Sequence, residues 1–349
     1  MLGPTNGVPR TFPWPDTRRM TLPPAPSVDY TDTSRRPAWS QLPGAVRDVV
    51  TRLAGDAVVS ASAPVGSGFT GAYAGTVTLA GGSRVFVKAG APDQPHVVGA
   101  LEQEAVVLAA LPRGVPAPTI LGFASVDGWS LLVLGVVEGR MPGQPWTPAE
   151  VEAVHRACLV MADVGTPCTV GDPALGRALS TDTEILAVAR TLADGSFLDG
   201  PELPRWLPGH QARVAELVLS AEGRFDGDTL CHGDLRPDNL LVSVDEPAVA
   251  TVVDWNWVGA AAAWVDWVGL LPLMAAQGVD TDALLTSSPL TRAVDPDSVD
   301  AYLATIAAYM LGGYRDAPPP GCTPALRRHQ LLMAHLFLEF LGDRRGWRR

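Results

Sequence analysis

Apolar positions along this chain follow two periods, and the change between them divides it. After a helical spacing at Val46, Val49, Val50 and Leu53 that stops at Gly55, the runs VVSASAPVGSGFTG (58–71) and AYAGTVTLAGGSRVFVKAG (72–90) read as extended segments. A glycine-rich loop and an AGGS turn punctuate them. ALEQEAVVLAALP (100–112) is an amphipathic helix stopped by Pro112, and SLLVLGVVEGR (130–140) is a buried apolar strand. From residue 147 the spacing turns helical. Thr147-Pro148-Ala149-Glu150 is a capping box with proline at the first helical position. Further helices are predicted over 181–193, 208–221, 264–276, 297–312 and 323–342, with a short β-like stretch at 240–255. Residues 1–40, rich in Pro, Thr, Ser and Arg, show no apolar period.

These elements predict an α+β chain in two lobes. Residues 1–40 form a flexible tail. Residues 41–137 form a small antiparallel-sheet lobe with one helix following its central strands. Residues 138–349 form a mainly helical lobe.

Composition narrows the function. With 47% hydrophobic and 18% charged residues the chain is globular rather than disordered. A net charge of −11 argues against nucleic acid as a partner and suits a cationic small molecule. Cys158, Cys168, Cys231 and Cys322 form no CxxC pair or zinc pattern, which points to reduced thiols and a cytoplasmic location. Residues 257–276 are long and apolar enough to suggest a membrane span. Asp266 in their middle and Pro272 beyond it instead predict a buried helix carrying one acid, and no membrane partner. A monomer or weak dimer is expected.

Lys88 is the only lysine, and Asn6, Asn239 and Asn256 are the only asparagines, so each stands out where it occurs. Gly66-Ser67-Gly68-Phe69-Thr70-Gly71 is a GxGxxG run. An extended segment follows it, so the loop would close a hairpin and offer backbone N–H groups to phosphates. Lys88 ends the next strand but one. Its compact ammonium can reach phosphates and a carboxylate together, which a wide guanidinium does less well. Glu104 is the expected carboxylate and Glu102 the lesser choice.

The richest stretch is CHGDLRPDNLLV (231–242), followed by TVVDWNW (251–257). Asn239 and Asp254 offer two oxygen ligands for Mg²⁺. Asp234 can orient a hydroxyl and accept its proton. Asp238 reads better as a turn or capping residue.

Here the sequence resembles the aminoglycoside phosphotransferase family of protein-kinase-like fold, over about residues 42–342. The family's catalytic loop, H-G-D-x-x-x-x-N, appears as His232-Gly233-Asp234-Leu235-Arg236-Pro237-Asp238-Asn239. The resemblance implies ATP and Mg²⁺ as cofactors, Lys88 on the nucleotide phosphates with Glu104 as its partner, and Asp254 as the metal aspartate. It implies that Asp266 braces the catalytic loop and that Gly135 to Val137 form the hinge that holds adenine. Arg236 either neutralises the transferred phosphate or is a solvated loop residue, and His232 is expected as a packed anchor. Two departures stand out. Asp254 is followed by Trp255-Asn256 rather than Phe-Gly, and Asn256 is expected to take the left-handed conformation a glycine would provide. Gly233 replaces the arginine that reads a phosphorylated activation loop in protein kinases. A small hydroxyl acceptor is therefore expected: an aminoglycoside, another sugar, an amino alcohol or an amino acid such as homoserine. The rival expectation is a nucleotide-binding regulatory protein without catalysis. Asp163, Asp295, Asp300, Glu339 and Asp343 are the acidic candidates for binding the acceptor.

Overall fold

The computed structural model describes residues 28, 33–66, 68–197, 202–319 and 321–348. Ser67 and most of the expected tail lie outside the described residues.

Helix α1 (Gly44–Ala54) buries Val46, Val49 and Val50 on one face and ends at Gly55 with φ 75°. The sheet that follows contains β1 (Val58–Ala61), β2 (Tyr73–Leu79), β3 (Arg84–Gly90), β4 (Ile120–Val126) and β5 (Trp129–Gly135), with α2 (Pro95–Ala110) between β3 and β4. Its spatial order is β1-β2-β3-β5-β4, with antiparallel neighbours throughout. The two-residue period of a strand sorts its side chains. Val85, Val87 and Ala89 of β3 join Tyr73, Val77, Leu131 and Val133 in a core with α1. Phe86 and Lys88 project from the opposite face, toward α2 and a cleft. One residue of slip in β3 would put Lys88 in the α1 core.

The second lobe runs α3 (Pro148–Val164), α4 (Leu175–Thr181), α5 (Thr183–Ala193), α6 (Gln211–Leu219), β6 (Thr229–Cys231), β7 (Leu240–Val242), β8 (Ala250–Val252), β9 (Gly259–Ala261), α7 (Val265–Ala275), α8 (Thr281–Ser287), α9 (Pro296–Gly313) and α10 (Ala325–Arg345). The capping box at α3 forms as expected: Thr147 Oγ1 accepts from Glu150 N, and Glu150 Oε2 accepts from Thr147 N. The expected β-like stretch at 240–255 forms β7 and β8, paired antiparallel, and a second antiparallel pair, β6 with β9, lies on either side of it in the chain. They hold the loop with Asp234 and Asn239 and the loop with Asp254. The apolar stretch at 257–276 splits: its first part enters β9 and the rest is α7, with Trp267, Val268, Leu270 and Leu271 inaccessible to solvent. Among the described residues no helix is long and apolar enough to cross a membrane.

The end of the expected tail differs from its composition. Thr33 has no exposed surface, and its Oγ1 lies 2.7 Å from the Gly66 carbonyl and 2.6 Å from that of Gly68. Ser34 bridges Cys322, and Thr323 N donates to Thr33 O. Isolated polar contacts to distant loops leave no periodic trace, so composition alone reads this segment as tail.

Candidate active site

The cleft between the lobes encloses a cavity of about 300 Å³. Its walls divide by chemistry. Val65, Phe86, Leu134, Val137, Leu241 and Val253 give an apolar end, closed by the chain at Gly135 and Val136. Arg36, Lys88, Glu104, Asp238, Asn239 and Asp254 give a charged end. Gly68 and Phe69 of the glycine run lie over the cavity. That run does link β1 to β2, which are paired as a hairpin.

Lys88 is fixed between β2 and β5, opposite Ala74 and Leu132. Its Nζ donates to both carboxylate oxygens of Glu104 at 2.8 and 2.7 Å, and to Asp254 Oδ1 at 2.5 Å. Burial works against the ammonium, but the two carboxylates outweigh it and hold its pKa above the usual value. Glu104 sits on the buried face of α2 with Leu101, Ala105 and Leu108 and is only 1% exposed. Glu102 faces outward and accepts from Ser130 Oγ instead. A long helix with a polar pair two residues apart can bury only one of them, which decides between the two.

Asp254 follows β8 with φ 70°, in the left-handed region where aspartate is among the few tolerated residues. The expectation placed this conformation at Asn256. The turn occurs two residues earlier, so Asp254 itself absorbs it and its carboxylate swings toward Lys88. Trp255 then points away into the core, fully buried, with Nε1 donating to Val252 O at 2.7 Å. Its ring meets His232 edge-on at 5.1 Å.

The loop between β6 and β7 is tied from below. Asp266, in the first turn of α7, accepts from His232 N at 2.6 Å and Gly233 N at 3.1 Å. Gly233 has φ 77°, and a β-carbon there would lie 2.2 Å from Trp257 O, so only glycine fits. His232 is inaccessible to solvent and its Nε2 donates to Val253 O at 3.1 Å. Burial pushes its pKa down. It is a packed anchor.

Above these, Asn239 Nδ2 donates to the Asp234 carbonyl at 2.8 Å and to Asp234 Oδ2 at 3.3 Å. Arg236 is not a solvated loop residue: its side chain is 16% exposed. Nη1 donates to Asp234 Oδ1 at 2.7 Å, while Nε and Nη2 form a fork on Asp238, both at 3.0 Å. Asp238 thus anchors the arginine that touches Asp234, a role the sequence reading missed. Burial raises the Asp234 pKa to about 6, with Arg236 opposing and Asp238 and Asp254 adding.

The acidic residues nominated for acceptor binding are otherwise engaged. Asp300 pairs with Arg344 and Arg345, Glu339 and Asp343 pair with Arg348, and Asp295 caps α9 while holding Arg224. Asp163 is exposed on α3.

A five-stranded sheet lobe and a helical lobe around this cleft define a bilobal kinase-like fold. Solved structures share it. The chain is 21% identical to a putative fructosamine-3-kinase from Thermobifida fusca YX-ER1, with a TM-score of 0.53 over 84% of this chain and 98% of that one. It is 13% identical to a thermostable mutant aminoglycoside phosphotransferase solved with AMP-PNP and hygromycin B, with a TM-score of 0.54 over 83% and 98%. No curated relative matches the chain. The model of the phosphotransferase enzyme family matches residues 64–311, so the chain belongs to that family.

Proposed function

We propose that this protein transfers the γ-phosphate of ATP to a hydroxyl of a small polar acceptor. One observation carries the reading: Lys88 from the sheet lobe and Asn239 and Asp254 from the helical lobe line one cavity, with Asp234 hydrogen-bonded to Asn239 beside them. The apolar end suits an adenine ring against the Gly135–Val137 segment, and the charged end suits the triphosphate. Lys88, braced by Glu104, holds phosphate oxygens. Asn239 and Asp254 are hard oxygen donors that fit a Mg²⁺ shared with phosphates, and among the described residues no three His, Cys, Asp or Glu side chains cluster to hold a metal alone. Bound there, the ion would neutralise charge on the phosphates.

Asp234 aligns the attacking hydroxyl and takes its proton as the oxygen–phosphorus bond forms and ADP departs. Arg236 keeps the carboxylate oriented and lowers the cost of its charge. Asp266 positions the loop. Catalysis of this kind is mostly alignment and charge compensation.

Solved structures of the same fold are an aminoglycoside phosphotransferase held with hygromycin B and a putative fructosamine-3-kinase. The test is therefore a panel of aminoglycosides, sugars, amino alcohols and amino acids with MgATP, read as acceptor-dependent ADP release. Asp234→Ala should abolish release while binding ATP with near-native affinity. Tight ATP binding with no acceptor from any class would favour a regulatory nucleotide-binding protein.

A further inference from the structure

We propose that Arg36 is a phosphate-binding residue of the nucleotide cleft, carried there by an N-terminal strap that crosses the glycine loop. The inference rests on the ATP reading above and assigns that site a second cation. Arg36 Nη1 donates to Ala72 O at 2.8 Å, at the start of β2. A β-carbon at Gly68 would lie 2.8 Å from Arg36 Nη2, so the guanidinium lies directly against the loop. Its side chain lines the same cavity as Lys88, Asn239 and Asp254.

The strap is built to hold that position. Thr33 is buried and shares its hydroxyl proton between the carbonyls of Gly66 and Gly68. Arg35 N donates to Gly321 O, and Thr323 N to Thr33 O. Cys322 Sγ donates to Phe69 O at 2.9 Å, and the Phe69 ring lies 4.8 Å from that of His329 on α10. Strap, glycine loop and the chain entering α10 thus interlock, and Arg36 is the strap residue that enters the cleft.

Burial lowers the Arg36 pKa, and Asp254 is the largest influence opposing it. A guanidinium presents its donors as a planar fork, the geometry that meets phosphate oxygens two at a time. Lys88 approaches the charged end from β3 and Arg36 from the glycine loop, so the two cations would bracket the triphosphate. Only the phosphates, not the nucleoside, gain from Arg36.

The test is calorimetric titration of the full chain with ATP, ADP and adenosine at fixed Mg²⁺ and salt. The variants are Arg36→Gln, which can still donate to Ala72 O, Arg36→Lys, and Arg35→Gln as an exposed neighbour. Arg36→Gln should weaken ATP about 10-fold or more, ADP less, and adenosine by less than about 2-fold. Arg36→Lys should recover most of the loss, and Arg35→Gln should match the wild type. Unchanged ATP affinity in Arg36→Gln would overturn the proposal. So would an equal loss for adenosine, which marks a structural role, or an Arg36→Lys protein as weak as Arg36→Gln. A wild-type protein that binds no nucleotide defeats the ATP reading itself, a result visible before any variant is made.

Discussion

Lys88 and Asp254 join the two lobes directly: the ammonium on β3 lies 2.5 Å from the carboxylate that follows β8. The same ammonium is held from behind by Glu104 on α2. Three elements far apart in sequence therefore meet on one nitrogen, and its size and charge become testable.

Asp254 carries two separable properties, a charge and a left-handed backbone. Asparagine keeps the second and loses the first. Asp254→Asn should lower kcat/KM by about 100-fold or more with little change in stability. Asp254→Ala should show the same loss and in addition unfold more easily by about 1 kcal/mol, because alanine resists positive φ. Steady-state kinetics and urea unfolding of the pair separate the effects.

Lys88→Arg preserves charge but asks a planar fork to fit between a nearly inaccessible Glu104 and Asp254. Activity should fall about 100-fold, with weaker ATP binding by calorimetry. A fully active Lys88→Arg enzyme would show that charge alone matters at this position.

The Asp234 pKa is raised to about 6 by burial. The ionised form is the one that accepts a proton, so kcat/KM should fall as pH drops through about 6. Arg236 stabilises that ionised form. Arg236→Gln should therefore move the acid limb to higher pH, measured against the wild type in identical MgATP series.

Asp266 accepts from the buried His232 N–H and from the Gly233 N–H of the same loop. Asp266→Ala leaves both donors unsatisfied and should cost about 2–4 kcal/mol in denaturant unfolding. Asp266→Asn, whose amide oxygen can still accept, should cost less.

Much of this site was legible because its chemistry is local or unusual. Asp234 and Asn239 share one loop, a lone lysine marks β3, and helix geometry separates buried Glu104 from exposed Glu102. The long helices announced themselves through apolar spacing. Other parts carried no local signal. Helices α4 and α8 are each too short for two full turns of pattern. The positive φ fell on Asp254 rather than Asn256, since backbone direction there answers to β8 and the buried Trp255. The fork of Arg236 on Asp238 joins near neighbours, yet a turn aspartate looks identical in sequence. Arg36 sat in a proline-rich stretch whose partners are residues of the glycine loop and of the α10 entry, and no window of sequence holds all three.

The solitary lysine also makes the cleft chemically addressable. Apart from any α-amino group, these 349 residues offer an acylating reagent one primary amine, and that amine's side chain is only 13% accessible. Modification at Lys88 itself is thus a footprint of the interlobe cavity, and a nucleotide-shaped aldehyde or activated ester that displaces its carboxylate partners would mark that one side chain.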